Sequence, residues 1–519
     1  ARHMDETGPT GLDAAPSAQP TQPTDAAQAQ WPFDNSYARL PDQFHAKLTP
    51  TPVSAPRLLR LNDALADHLG LAPDALAGAG GLDVLAGNRV PEGAEPLAMA
   101  YAGHQFGNYV PQLGDGRAIL LGELVGRDGI RYDLQLKGAG RTPFSRMGDG
   151  RSALGPVIRE YLVSEAMHAL GVKTTRALAM VETGDRVVRQ NGPEPGGILT
   201  RVANSHVRVG TFEYFHNQGD SAAVQHLADY VIARHYPELA DADQPYHGLL
   251  DAVAKRTADL IADWLMVGFI HGVMNTDNTS MVGETIDYGP CAFMDRYHPE
   301  TVFSSIDMWG RYAYNKQPQI GQWNLARFAE TLLPLMADDP QAAVPDAEAA
   351  LSRYAERFDA AHTAGLRAKL GLDRSEDGDK DLAHSLLQAM ADNQADFTLT
   401  FRYLSDLSAA DPSNDEPVRA LFDDPADFDR WAEQWRGRLA REHRSDAERQ
   451  AAMRQTNPLF IPRNHWIQHA IDRAYAGDLQ PIDALMTVLG APYEAHPDLA
   501  VYARPPRPEE VVQQTFCGT

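Results

Sequence analysis

Three side chains near the middle of the chain stand in a pattern suited to handling a phosphate ester. Asp277 and Asn278 are adjacent, and Asp287 follows in Ile286-Asp287-Tyr288-Gly289. One amide oxygen and one carboxylate suit Mg²⁺, a hard cation that completes its shell with water and phosphate oxygens. Asp277 is then left as a carboxylate able to take a proton. The competing reading makes it a turn residue bonded to its own backbone. Upstream, Lys137 ends an alternating stretch and Glu160 lies on the next amphipathic one, an order that suits a phosphate-binding lysine and its anionic partner; the competing reading is a solvated surface lysine and an unrelated helix-face glutamate. Arg201 and Arg208 offer forked donors that match phosphate oxygens. Gly114-Asp115-Gly116-Arg117 and Gly148-Asp149-Gly150-Arg151 flank the lysine strand, and glycines there let backbone amides approach a phosphate.

The order of these groups can be compared with a protein-kinase catalytic loop, His-x-Asp-x-x-x-x-Asn with a metal-binding Asp-Phe-Gly downstream. Counted from His271, the asparagine falls on Asn278, and Asp287-Tyr288-Gly289 stands for the triplet after a shorter connection. The place of the kinase base is held by Val273, which cannot accept a proton. Asp277 is the nearby carboxylate that could replace it.

The elements that must carry these groups can be read from periodicity. Arg117–Val125 reads as a strand, Asp128-Gly129 as a tight turn, and Ile130–Lys137 as the returning strand, with Leu134 and Leu136 on one face and Asp133, Gln135 and Lys137 on the other. A helix is expected over 152–170, ended by Gly171. Further strands are expected at Arg176–Glu182, Arg186–Arg189 and Ile198–Val202. Beyond Phe215 the pattern turns helical: Ala222–His235 and Leu249–Ile270, then a polar turn His271–Asn278 and a short hairpin ending at Ile286–Gly289. From Trp323 onward amphipathic stretches dominate, among them Asn324–Met336, Glu348–Leu370 and Asn464–Tyr475. The expected divisions are a disordered 1–30 that opens with a cloning remnant (Ala1–Met4), a packing segment 31–96, a nucleotide-binding β-rich lobe 97–215, a lobe 216–322 with the catalytic loop and metal site, and a helical extension 323–519.

The 519 residues carry a formal charge of −24, which argues against nucleic acid or an anionic membrane as principal partner. Residues 101–215 nonetheless hold 14 Lys and Arg against 11 Asp and Glu, a balance suited to a small polyanion. No apolar run is long enough for a membrane span or a secretory signal. The two cysteines, Cys291 and Cys517, exclude a disulfide framework and suit a reducing cytoplasm.

Tyr101–Gly107, Gln112–Arg117, Leu136–Pro143, Ser145–Arg151, Ser205–Phe215, His271–Asn278 and Ile286–Pro290 together closely resemble the selenoprotein O family, called YdiU in bacteria. Asn457-Pro458 and Arg463-Asn464 extend the likeness into the helical third. The resemblance implies an α+β, protein-kinase-like bilobal fold with a helical C-terminal extension, in which ATP lies reversed and AMP passes to Ser, Thr or Tyr hydroxyls of proteins. It further implies that Gly114, Gly116, Arg117, Lys137, Asp149, Gly150, Arg201, Arg208 and Asp287 hold the nucleotide. Glu160 would pair with Lys137, Asn278 and Asp287 would bind Mg²⁺, and Asp277 would be the base. In some relatives selenocysteine stands third from the C-terminus, where this chain has Cys517; a reversible Cys291–Cys517 disulfide is the corresponding expectation. A kinase-type phosphotransferase, UMP transfer with Mn²⁺, and a non-catalytic ATP-binding scaffold are the alternatives.

Overall fold

The computed structural model describes residues 30–512 and Thr515. The expectation of disorder for the N-terminal segment and the pairing of Cys517 lie outside the described residues.

Twelve strands can be traced among these residues: β1 His45–Lys47, β2 Arg57–Leu61, β3 Leu97–Met99, β4 Gly103–Gln105, β5 Asn108–Val110, β6 Ala118–Val125, β7 Arg131–Lys137, β8 Ser152–Ala153, β9 Arg176–Arg189, β10 Gly192–Ala203, β11 Phe269–Ile270 and β12 Ala292–Phe293. The main sheet runs β1-β3-β6-β7-β10-β9-β2, with β8 on β10. All its pairs are antiparallel. The alternation expected in β7 is present. Leu134 and Leu136 join Ile119, Leu121, Ile198 and Val202 in a core closed by Leu65, Leu76 and Leu85 of the N-terminal segment. Asp133, Gln135 and Lys137 face the other way.

The helix Leu154–Ala169 follows β8, and Gly171 at φ +81° turns the chain away from it. Its Ile158 and Leu162 pack with Trp264, Phe269, Ile467 and Leu485, so this helix joins the sheet to the helical part.

Several boundaries differ from the sequence reading for local reasons. The strands expected at 176–182 and 186–189 are one element, β9, bent by the bulges of its pairing with β10. Val209–His216 is helical. The helix expected to reach Ile270 spans Pro245–Val267 and stops because Gly268 takes φ +76°, releasing Phe269 and Ile270 to pair with β12. The hairpin expected between Asn278 and Ile286 is replaced by turns carrying two single bridges, Arg208 with Ser280 and Thr174 with Thr285. The β11–β12 ladder instead closes the whole segment 271–291 at its base.

The remainder is helical, including Gln317–Met336, Val344–Lys369, Pro425–Leu439 and Asn464–Tyr475. No described helix is long and apolar enough to cross a membrane. Within this part Lys369 is buried, donates to Asn457 Oδ1 at 3.3 Å and lies 4.4 Å from the centre of the Phe401 ring. Burial pushes its ammonium down to about 7. The folded-state value therefore lies below that of an unfolded lysine, and between the two the unfolded chain binds the extra proton. Stability contributed at this residue should rise with pH from about 7 to about 10, by at most about 1.4 kcal/mol per unit. Urea unfolding of the native chain and of Lys369→Met across that range checks this. The native chain should gain stability relative to the variant as pH rises, and a constant difference would refute it.

Candidate active site

A cavity of about 730 Å³ opens between the sheet, the helix Leu154–Ala169 and the loop 271–291. Its walls include Gly114, Gly116, Arg117, Lys137, Asp149, Gly150, Glu160, Arg201, Asp277, Asn278 and Asp287. Arg208 lies behind them, fully buried, and reaches the cavity through its contacts with Asp287 and Asp277.

Asp287 is the hub. Its φ of +61° is an uncommon backbone state for a residue other than glycine. Oδ1 accepts from Arg201 at 2.6 Å and Oδ2 from Arg208 at 2.8 Å. Against the cost of burial, Arg208, Arg201 and Lys137 hold this carboxyl well below the usual carboxylate range, so it is ionised. Arg201 is steadied from behind by Gln135 Oε1, at 2.7 Å from Nη2. Lys137 donates to Glu160 Oε1 at 3.1 Å, and the same oxygen accepts from the Tyr288 amide at 3.3 Å. Glu160 thereby ties the lysine strand to the Asp287 loop.

Asp277 sits in the short helical turn Thr276–Asn278. Its carbonyl accepts from Arg208 at 2.8 Å. Its Oδ1 is buried and has no hydrogen-bond partner among the described residues. Burial lifts its carboxyl to about 7 against the pull of Arg208, and the charge of Asp287 adds to the lift. Such a group can take up a proton near neutrality. Asn278 donates from Nδ2 to the Val273 carbonyl at 2.6 Å, which leaves its Oδ1 as the available atom. Val273 thus contributes only its backbone to this arrangement.

Two loops form the outer wall. Gly114 takes φ +74°, and a Cβ there would strike the Phe144 ring, so the 114–117 turn and the 138–151 loop interlock. Thr142 Oγ1 donates to the Asp115 carbonyl at 2.6 Å. Gly150, at φ +70°, packs against the Gly140 carbonyl, where a side chain would not fit. Asp149 stands at the rim and pairs with Arg189 at 2.9 Å.

Sequence reasoning gave no role to several residues that shape this site. Tyr101 lies under the Arg208 guanidinium, 4.4 Å from the ring centre. Gln135 orients Arg201. At Gly103 an added Cβ would sit 2.3 Å from Asp277 Oδ1. The motif Tyr101–Gly107 was visible in the sequence, but its contact with Asp277 spans more than 170 residues. Gly103→Ala should displace the carboxylate and lower turnover of a reaction that uses it by up to about 10²-fold, with little change in the cavity's affinity for its ligand. Steady-state kinetics alongside calorimetric binding checks this, and turnover within twofold of the native chain would refute it.

Hard oxygen donors are the ones a magnesium ion takes, and Asn278 and Asp287 supply them. Among the described residues no group of three or more His, Cys, Asp or Glu is placed to hold a metal. Both of these donors line the cavity. Cys291 is buried beside this loop, its thiol pushed up by burial, and its carbonyl accepts from Arg159.

The family model described as "Protein adenylyltransferase SelO" matches residues 28–490. The chain is 62% identical over 490 residues to the "Protein nucleotidyltransferase YdiU" of Bradyrhizobium sp. (strain BTAi1), covering 94% of this chain and 99% of that one. It is 61% identical over 490 residues to the protein of that name from Rhodopseudomonas palustris (strain BisB5), with the same coverage. Against that of Alkalilimnicola ehrlichii it is 61% identical over 494 residues, covering 95% and 100%.

Proposed function

The chain belongs to the protein adenylyltransferase SelO family and is a nucleotidyltransferase, and from that premise we propose that it transfers AMP from ATP to a Ser, Thr or Tyr hydroxyl of a protein. Asp277 is the base, Asn278 and Asp287 take magnesium, and Lys137, Arg201 and Arg208 hold the phosphates. The 97–215 region and the 216–322 region act as the two lobes of a kinase-like fold, with ATP reversed between them. The observation that carries this reading is the convergence of Arg201 and Arg208 on Asp287, with the Lys137–Glu160 pair lining the same cavity, beside a buried carboxylate with an unpartnered oxygen.

In the reaction the target hydroxyl oxygen forms a bond to the α-phosphorus, and the bond from that phosphorus to the bridging oxygen of pyrophosphate breaks. The hydroxyl proton passes to Asp277. The electron pair leaves with pyrophosphate, whose growing charge is met by Lys137, Gly114–Arg117 and the arginines already fixed in place. Magnesium, when bound, offsets phosphate charge and polarises the phosphoryl oxygens. Glu160 keeps Lys137 extended into the cavity, and Gln135 and Tyr101 keep the two guanidiniums from rotating. Positioning by these groups supplies most of the rate.

Transfer of the γ-phosphate is disfavoured by Val273, which offers no proton acceptor where a kinase has one. ATP labelled at the α- or γ-phosphate tests the proposal. Label from the α position should reach protein and label from the γ position should leave as pyrophosphate. Protein labelled from γ would make the chain a phosphotransferase. Binding without transfer of either label would make it a scaffold.

A further inference from the structure

An enzyme that modifies proteins must hold a polypeptide beside its nucleotide, and the cavity walls described above are devoted to phosphate. The segment 303–313, downstream of Asp287 in the chain, has the missing character. Ile306, Met308 and Trp309 are 58%, 80% and 87% exposed, so three of the most exposed large apolar side chains among the described residues fall within four positions. Clustered apolar exposure of this kind marks interaction surfaces, and tryptophan is among the commonest anchors of protein interfaces.

The loop is built rather than loose. Asp307 is buried and turned inward, accepting from the Arg311 and Tyr312 amides at 2.9 Å each. Gly310 at φ +64° completes the turn, which leaves residues 306, 308 and 309 facing outward. The loop's end is joined to the chemistry. Tyr312 donates its hydroxyl to Asn275 Oδ1 at 2.7 Å and accepts from the Phe106 amide at 3.0 Å. Asn275 lines the cavity two residues before Asp277. Trp309 is three residues from Tyr312, a span of at most about 11 Å. Arg311, lying over the Trp323 ring at 4.9 Å, stiffens the same base.

We propose that Ile306, Met308 and Trp309 form the docking surface for the protein that receives AMP, and that it selects hydroxyls flanked within a few residues by apolar side chains. This rests on the transfer reaction proposed above. The base of the loop is hydrogen-bonded through Tyr312 to Asn275, two residues before Asp277, so a strand seated on the patch lies within a few residues' reach of the catalytic base. Phosphate or a small polar acceptor would gain nothing from such a surface.

Two sets of synthetic peptides, each peptide with one Ser, Thr or Tyr, test this. One set has leucine at the flanking positions and the other aspartate, and α-labelled ATP is the donor. The native chain should label the leucine set with a kcat/KM at least about tenfold higher, and in Trp309→Ser/Met308→Ser the ratio should fall to about one, as expected for loss of an aromatic anchor. Nucleotide affinity by calorimetry should not change. Equal labelling of both sets by the native chain, or a preference that survives the double substitution, overturns the docking surface. Absence of label from every peptide and protein, with ATP still bound, overturns the transfer reaction itself. A native dimer that the double substitution converts to monomer assigns the patch to a second copy of this chain. A rise in labelling of both sets on deleting residues 516–519 assigns it to the chain's own end. Either result overturns the proposal.

Discussion

Asp277→Asn should reduce transfer of the α-phosphate label to protein by about 10²–10⁴-fold, the usual range for losing a positioned general base. The substitution keeps the shape of the side chain and removes its ability to accept a proton. The effect should appear in kcat, because in the proposed mechanism Asp277 acts on the hydroxyl proton rather than on the phosphates. Nucleotide affinity should hold or improve slightly, since one anion leaves a site built to bind another. The carbonyl contact with Arg208 belongs to the backbone and survives the change. Single-turnover labelling separates chemistry from binding, and calorimetry with ATP gives the affinity. Turnover within fivefold of the native chain would remove Asp277 from the mechanism. Label loss accompanied by equal loss of ATP binding would make it a structural residue.

The second large effect concerns the helical part. Arg463 has no exposed surface and bridges two carboxylates, Asp295 at 2.7 Å and Asp396 at 2.8 and 2.9 Å. Asp396 also caps the helix Phe397–Leu404 by accepting from the Leu399 amide at 2.9 Å, and the Phe397 amide donates to the Asp295 carbonyl at 2.7 Å. Arg463→Met therefore leaves the buried Asp396 and the half-buried Asp295 together without a counter-charge. The expected loss is about 3–5 kcal/mol of unfolding free energy. Burial already raises the Asp295 carboxyl even with the arginine present, so it would be the first to take up a proton in the variant. The double variant Arg463→Met/Asp396→Asn should regain part of the loss, because one uncompensated charge is gone. Denaturant unfolding measures both, and a loss under about 1 kcal/mol for the single variant would contradict the buried-pair argument.

Much of the site was legible because its key groups belong to short local patterns. The alternation of β7 assigned Lys137 to the face away from Leu134 and Leu136, and that is where it lies. Asn278 and Asp287 were placed by counting along one loop, and the Lys137–Glu160 pair by one strand and the next helix. What escaped the sequence depends on contacts between distant segments. Short strands such as β1, β2 and β3 carry too few residues to show a period, and they become strands only by pairing, β1 with β3, β3 with β6 and β2 with β9. The end of the helix at Val267 was hidden because apolar residues continue past Gly268, and only the left-handed glycine stops it. Tyr101 under Arg208 and Gly103 against Asp277 join opposite ends of the site, and no spacing rule reports such a meeting.

The two-residue ladder between Phe269–Ile270 and Ala292–Phe293 has a mechanical consequence. It acts as a drawstring on everything from His271 to Cys291, so Asp277, Asn278 and Asp287 hang from one knot. Loosening it removes an anchor that Asp277, Asn278 and Asp287 share. On the proposed mechanism, mild heating should therefore abolish nucleotide binding in the presence of magnesium and transfer of label together, and a temperature at which calorimetry still shows binding while labelling is lost would refute it.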